Sequence, residues 1–86
     1  MASYRVNYRE EAIDDLEKID SRYCDLILRK IDRLASIPRS QQTKKLKGRD
    51  DTYRLRVGDY RVVYVIDDEN ACINISHIKH RKDVYR

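Results

Sequence analysis

Three arginines carry the clearest chemical signal in this 86-residue chain. Arg54, Arg56 and Arg61 fall within Tyr53-Arg54-Leu55-Arg56-Val57-Gly58-Asp59-Tyr60-Arg61-Val62-Val63-Tyr64, two alternating runs joined at Gly58-Asp59. A two-residue turn that opens on Gly suits type II′ geometry, whose first position needs φ > 0. The register that follows sets Val57 opposite Tyr60, Arg56 opposite Arg61, Leu55 opposite Val62 and Arg54 opposite Val63. Like charges directly across a ladder repel. Arg56 beside Arg61, with Arg54 on the same face, therefore implies an anionic ligand, and guanidinium forks match phosphate oxygens. A solvated edge on which the arginines splay apart is the alternative.

Other chemistry-bearing residues flank this hairpin. His80, in Lys79-His80-Arg81-Lys82-Asp83-Val84-Tyr85-Arg86, is expected in a basic tail that runs past the open face. An ordinary imidazole titrates near ~6.5, so His80 is the candidate for proton transfer. His77 shares parity with the apolar residues of the preceding strand and is expected to be partly buried and uninvolved. Lys44, Lys45 and Lys47 surround a single Leu46; they are either nonspecific phosphate contacts, as Lys79 and Lys82 would be, or a solvated connection. Cys24 and Cys72 are isolated, without metal-ligand spacing, and are expected as buried reduced thiols. No metal and no cofactor is expected.

The elements that must position these groups are an α+β arrangement in the order β-α-α-β-β-β, within a single domain over 1–86. Tyr4, Val6 and Tyr8 alternate with Arg5 and Asn7, predicting a strand over 3–8. Ala12, Ile13, Leu16 and Ile19 predict a helix over 9–20, with Glu10 and Glu11 complementing the dipole in its first turn. Asp20-Ser21 breaks it. Tyr23, Ile27, Ile31 and Leu34 predict a second helix over 22–37, stopped by Pro38. A basic loop is expected over 39–51, then strands over 52–57, 60–66 and 71–78 and a tail over 79–86. The N-terminal strand and helical hairpin should pack on a small antiparallel sheet, whose inner face carries Tyr53, Leu55, Val57, Tyr60, Val62, Tyr64 and Ile66.

Composition narrows the partners. Charged residues make up 40% and the net charge is +4, all of it carried by residues 44–86. A balanced helical half and a basic strand-rich half suggest a scaffold and a phosphate-binding surface. The small core implies stabilisation by a partner. No apolar run approaches membrane-spanning length and the N-terminus lacks an apolar signal core, so a cytoplasmic protein without membrane contact is expected.

Lys45-Leu46-Lys47-Gly48, the Tyr53 to Tyr64 hairpin and His80-Arg81-Lys82-Asp83-Val84-Tyr85 together resemble the RelE/ParE superfamily of prokaryotic type II toxins, RelE in particular. The resemblance implies a RelE-like fold and an endoribonuclease, an mRNA interferase that cuts message in the ribosomal A site and arrests growth. It also implies inhibition by a cognate antitoxin, within a higher-order toxin-antitoxin complex. By position, Arg54 and Arg56 match two basic strand residues that are usually lysines, and Arg61 matches the arginine after the turn. The tail arginine is matched by Arg81, with His80 or Lys79 as the other equivalents. Tyr85 matches the tail tyrosine that positions a base or the scissile backbone.

Metal-independent cleavage uses the substrate's own 2′-OH and leaves a 2′,3′-cyclic phosphate and a 5′-OH. The protein must orient the attack, neutralise the phosphorane and protonate the leaving oxygen. Arg54 in place of a lysine removes a general base, because a guanidinium does not give up its proton near neutrality. Either His80 transfers the proton, or positioning and the ribosome supply the rest, and cleavage of free RNA should be slow or absent. A ParE-like toxin that binds and poisons DNA gyrase shares the fold and is the competing expectation.

Overall fold

The computed structural model describes residues 3–84. The chain runs β1 (Arg5–Tyr8), α1 (Glu10–Glu17), α2 (Ser21–Leu34), β2 (Thr43–Lys45), β3 (Thr52–Val57), β4 (Tyr60–Asp67), β5 (Cys72–His80) and α3 (Arg81–Val84). The five strands form one sheet in the order β1-β5-β4-β3-β2, with β1 parallel to β5 and every other pair antiparallel. The sheet is therefore mixed: the expected antiparallel strands are present, and the N-terminal strand joins them in parallel. A parallel β1 needs a long crossover, and the α1-α2 hairpin provides it.

The helices cover one face of the sheet. Asp20 caps α2 by accepting a hydrogen bond from the Arg22 amide at 2.9 Å, which fixes where the second helix starts. From there Ile27, Ile31 and Leu34 recur on one helical face and pack with Ala12 of α1 against Leu55, Val57, Val62, Tyr64, Ile66, Ile73, Ile75 and Ile78. Ile13 and Tyr23, members of the periodic sets that predict the helices, are 46% and 53% exposed. Tyr23, one turn before Ile27, meets the Tyr60 ring instead. Tyr64 is fully buried, donates to the Pro38 carbonyl at 2.7 Å and has its phenol pKa pushed up to about 12 by burial.

Three departures from the expected elements matter for the site. The loop expected over 39–51 contains β2, which pairs Lys44 with Arg54 and Lys45 with Tyr53. Edge strands are commonly short and lysine-bearing, a composition that disguises them as loops. The last strand extends to His80, so Lys79 and His80 belong to the sheet rather than to a free tail, and α3 follows immediately. Finally, the register on β4 slips between Val63 and Tyr64: Tyr64 faces Ile75, whereas Val63 faces His77. Ser76 is the extra residue of a bulge, and it exchanges the two faces of β5 beyond it. Ile78 returns to the core, while His77 and Lys79 turn to the opposite side.

Candidate phosphate-binding face

The hairpin adopts the register that its turn residues imply. Val57 faces Tyr60, Arg56 faces Arg61, Leu55 faces Val62 and Arg54 faces Val63, with Gly58 at φ 59°. Alternation then places the arginines on the sheet face that the helices leave uncovered. Pairing continues on both sides and builds two cross-sheet rows. One runs Lys44-Arg54-Val63-His77 over β2, β3, β4 and β5; the other runs Arg56-Arg61-Lys79 over β3, β4 and β5. Neighbouring strands lie about 4.8 Å apart, so the Arg56-Arg61-Lys79 row sets basic groups at the spacing of the sheet itself, while Val63 separates Arg54 from His77 in the other.

Both rows end on carboxylates of α1. Strand β1 pairs with β5 only from Cys72 to Ile75, and beyond that point α1 flanks the edge of β5. Glu11 and Asp15, one helical turn apart, meet residues two apart on the strand. Asp15 Oδ2 accepts the Ile78 amide at 3.0 Å, and Oδ1 accepts Lys79 Nζ at 2.8 Å. Glu11 Oε2 lies 3.4 Å from His77 Nδ1. Burial works to raise the Asp15 pKa. The Lys79 hydrogen bond, the Ile78 amide and the charges of Lys79 and His77 outweigh it, and the carboxyl ends below its ordinary value.

Beside the first row is a cleft of about 490 Å³ lined by Gln41, Gln42, Thr43, Lys44, Arg54, Arg56 and Gly58. It can seat a phosphodiester between the guanidiniums and the two amides. Gln41 and Gln42 escaped the sequence reading because nothing local marks a polar pair as the lip of an edge strand. The face of His77 escaped it because the bulge at Ser76, which decides that face, has no signature in a run as regular as Cys72 to His80.

The remaining candidates are dispersed. Lys45 pairs with Tyr53 and so takes the face opposite Arg54, and Lys47 lies in the turn after β2. His80 pairs with Tyr60 and is on the helix-covered side; their rings meet edge-on at 5.1 Å, and Tyr23 adds a third ring 5.9 Å from Tyr60. His80 Nδ1 accepts the Lys82 amide at 3.2 Å, a bond that occupies the nitrogen and caps α3. It is not brought to the arginine rows. Arg81 and Lys82 are exposed on α3, which is tied to the hairpin by a 2.6 Å hydrogen bond from the Arg81 amide to the Asp59 carbonyl. Tyr85 lies outside the described residues.

The fold has counterparts among known proteins. Residues 6–85 match the family described as the ParE toxin of the type II toxin-antitoxin system parDE. A RelE-like toxin protein of Escherichia coli is 30% identical, with 95% of this chain and 90% of that protein covered. The toxin-antitoxin complex RelBE2 from Mycobacterium tuberculosis contains a chain superposing with a TM-score of 0.80 at 30% identity, covering 92% of this chain and 99% of that one. The archaeal RelE-RelB complex from Pyrococcus horikoshii OT3 gives a TM-score of 0.78 at 31% identity, with 92% and 96% covered. With a family match across nearly its whole length and RelE relatives of the same fold, the chain belongs to the ParE toxin family of type II toxin-antitoxin systems, within the RelE/ParE superfamily.

Proposed function

We propose that this toxin is a RelE-like, metal-independent endoribonuclease that cuts mRNA in the ribosomal A site. The observation that carries the reading is the Arg56-Arg61 pair, two cations held directly opposite each other on an uncovered sheet face. An enzyme that stabilises a phosphorane has a use for that arrangement, because charge developing on the equatorial oxygens meets donors already in place. In the reaction the substrate 2′ oxygen forms a bond to phosphorus as the bond to the 5′ oxygen breaks, leaving a 2′,3′-cyclic phosphate and a 5′-OH. Arg56 and Arg61 grip the non-bridging oxygens, while Arg54 and Lys44 hold the neighbouring backbone. Arg81 and Lys82, docked at the turn, extend the basic surface towards the ribosome.

A cognate antitoxin is the second partner. The relatives solved with their antitoxins support it, and a basic face of this kind suits an acidic segment. The family match to ParE favours a second reading, in which the chain binds and poisons DNA gyrase without cutting RNA. Primer extension on translated message after induction separates the two. Discrete cuts within codons support the ribonuclease, whereas intact message with broken chromosomal DNA overturns it.

A further inference from the structure

The ribonuclease reading leaves the 2′-OH proton without an acceptor, since arginine occupies the strand position from which a lysine would act. The described residues contain two histidines, and only one is on the arginine face. His77 is brought there by the Ser76 bulge, in the same cross-sheet row as Arg54 and diagonally next to Arg61, through the Val63-His77 and Arg61-Lys79 pairs. Diagonal neighbours on adjacent strands are about 7 Å apart, a separation that one phosphodiester bridges. The His77 side chain is 43% exposed, so substrate can reach it. Glu11 Oε2 stands 3.4 Å from Nδ1, an ion-pair distance, and Nε2 is the other ring nitrogen.

Resting on the ribonuclease reading, we propose that His77 is the general base of this toxin and that Glu11 is its positioning residue. The neutral imidazole takes the 2′-OH proton on Nε2 as the 2′ oxygen bonds to phosphorus; the leaving 5′ oxygen takes a proton from water, and His77 later returns its own to solvent. Glu11 fixes the tautomer by accepting from Nδ1 and stabilises the imidazolium that forms, the division of labour of a carboxylate-histidine pair. The other charged groups around His77 are Asp15 of α1, Lys79 on its own strand, and Arg61 and Arg54 from β4 and β3.

Single-turnover cleavage of a defined mRNA on stalled ribosomes, followed across pH, tests the assignment. The wild-type rate should fall on acidification with a slope of one proton. His77→Gln should lose that limb and, as for loss of a general base, slow by about 10²–10⁴-fold, with the half-saturating toxin concentration nearly unchanged. Glu11→Gln alters an exposed helical side chain and should move the limb to lower pH. Added imidazole should restore part of the rate to His77→Ala. An unchanged rate and profile in His77→Gln, or a Glu11→Gln limb that does not move, overturns the assignment while leaving the ribonuclease reading standing. Wild-type protein that leaves ribosomal message intact overturns both.

Discussion

Arg56 and Arg61 are cross-strand partners on β3 and β4, two like charges in the position where a sheet ordinarily sets a complementary pair. Their repulsion is a cost to the fold, and Arg56 is exposed.

Stability and activity should therefore part company at Arg56. Arg56→Thr removes the repulsion, keeps a good strand former and should stabilise the protein by about 0.2–1 kcal/mol. On ribosomes the same variant should cut about 10²–10³-fold more slowly, the usual loss when one donor to a developing oxyanion is removed. Urea melts and induced growth arrest measure the two effects. Arg61→Ala should likewise relieve arrest in a folded protein; a variant that stays fully toxic would sink the phosphate-gripping role of the pair.

His80 should act on the tail rather than on the scissile proton. Its Nδ1 accepts the Lys82 amide and its ring packs on Tyr60, both away from the arginine rows. His80→Ala should speed hydrogen exchange at the Lys82 amide, whereas His80→Asn, whose carbonyl can replace the acceptor, should slow it again. Exchange at Lys82 that is equal in all three proteins would contradict the capping role.

How far the sequence reveals the site depends on which interaction sets each residue's face. The hairpin is legible because a local rule, Gly58 at positive φ, fixes its register and thereby the facing of Arg54, Arg56 and Arg61. The helices are legible from Ile27, Ile31 and Leu34 at helical spacing. What escapes is decided by distant partners. Strand β2 exists because β3 offers it an edge, and His77 changes face because Tyr64 must meet Ile75 while Val63 meets His77. The side that His80 takes has the same cause, since it depends on counting through Ser76. The α1 carboxylates could not be paired with β5 without knowing that β1 leaves the edge open after Ile75.

The β4-β5 turn, over residues 68–71, holds one residue in the left-handed region. Ala71 is the one non-glycine residue at positive φ, 52°, among the described residues. Its Cβ meets the neighbouring carbonyl in that region, at a cost of roughly 1–2 kcal/mol. The Asp67 side chain, which accepts the Asn70 amide at 3.0 Å, holds the turn in place despite it. Ala71→Gly should recover about 1 kcal/mol, less the added freedom of the unfolded chain, and raise Tm by a few degrees. An unchanged or lower Tm would show that the conformation carries no strain.

Acid should destabilise this protein through two carboxylates, Asp15 beside β5 and Asp68 in the β4-β5 turn. Asp15, 8% exposed at its side chain, holds Lys79 and the Ile78 amide. Asp68 is lowered by its hydrogen bond to Arg39 and, secondarily, by that from Tyr4, and it ties the α2-β2 connection to the β4-β5 turn. Both have folded pKa values depressed below the ordinary 3.8. Their contribution is thus complete above the unfolded pKa and is lost as pH falls through the folded one. The urea midpoint should hold from pH 7 to about 5 on their account and decline below about 4. Asp15→Asn retains an acceptor for Ile78 but forfeits the charge, so it should lower the midpoint at pH 7 and flatten the acid decline. Asp68→Asn should do the same more weakly, since Asp68 and Arg39 are both largely in solvent and screened. Equal acid slopes in wild type and Asp15→Asn would mean that the Lys79 pair contributes nothing to folding.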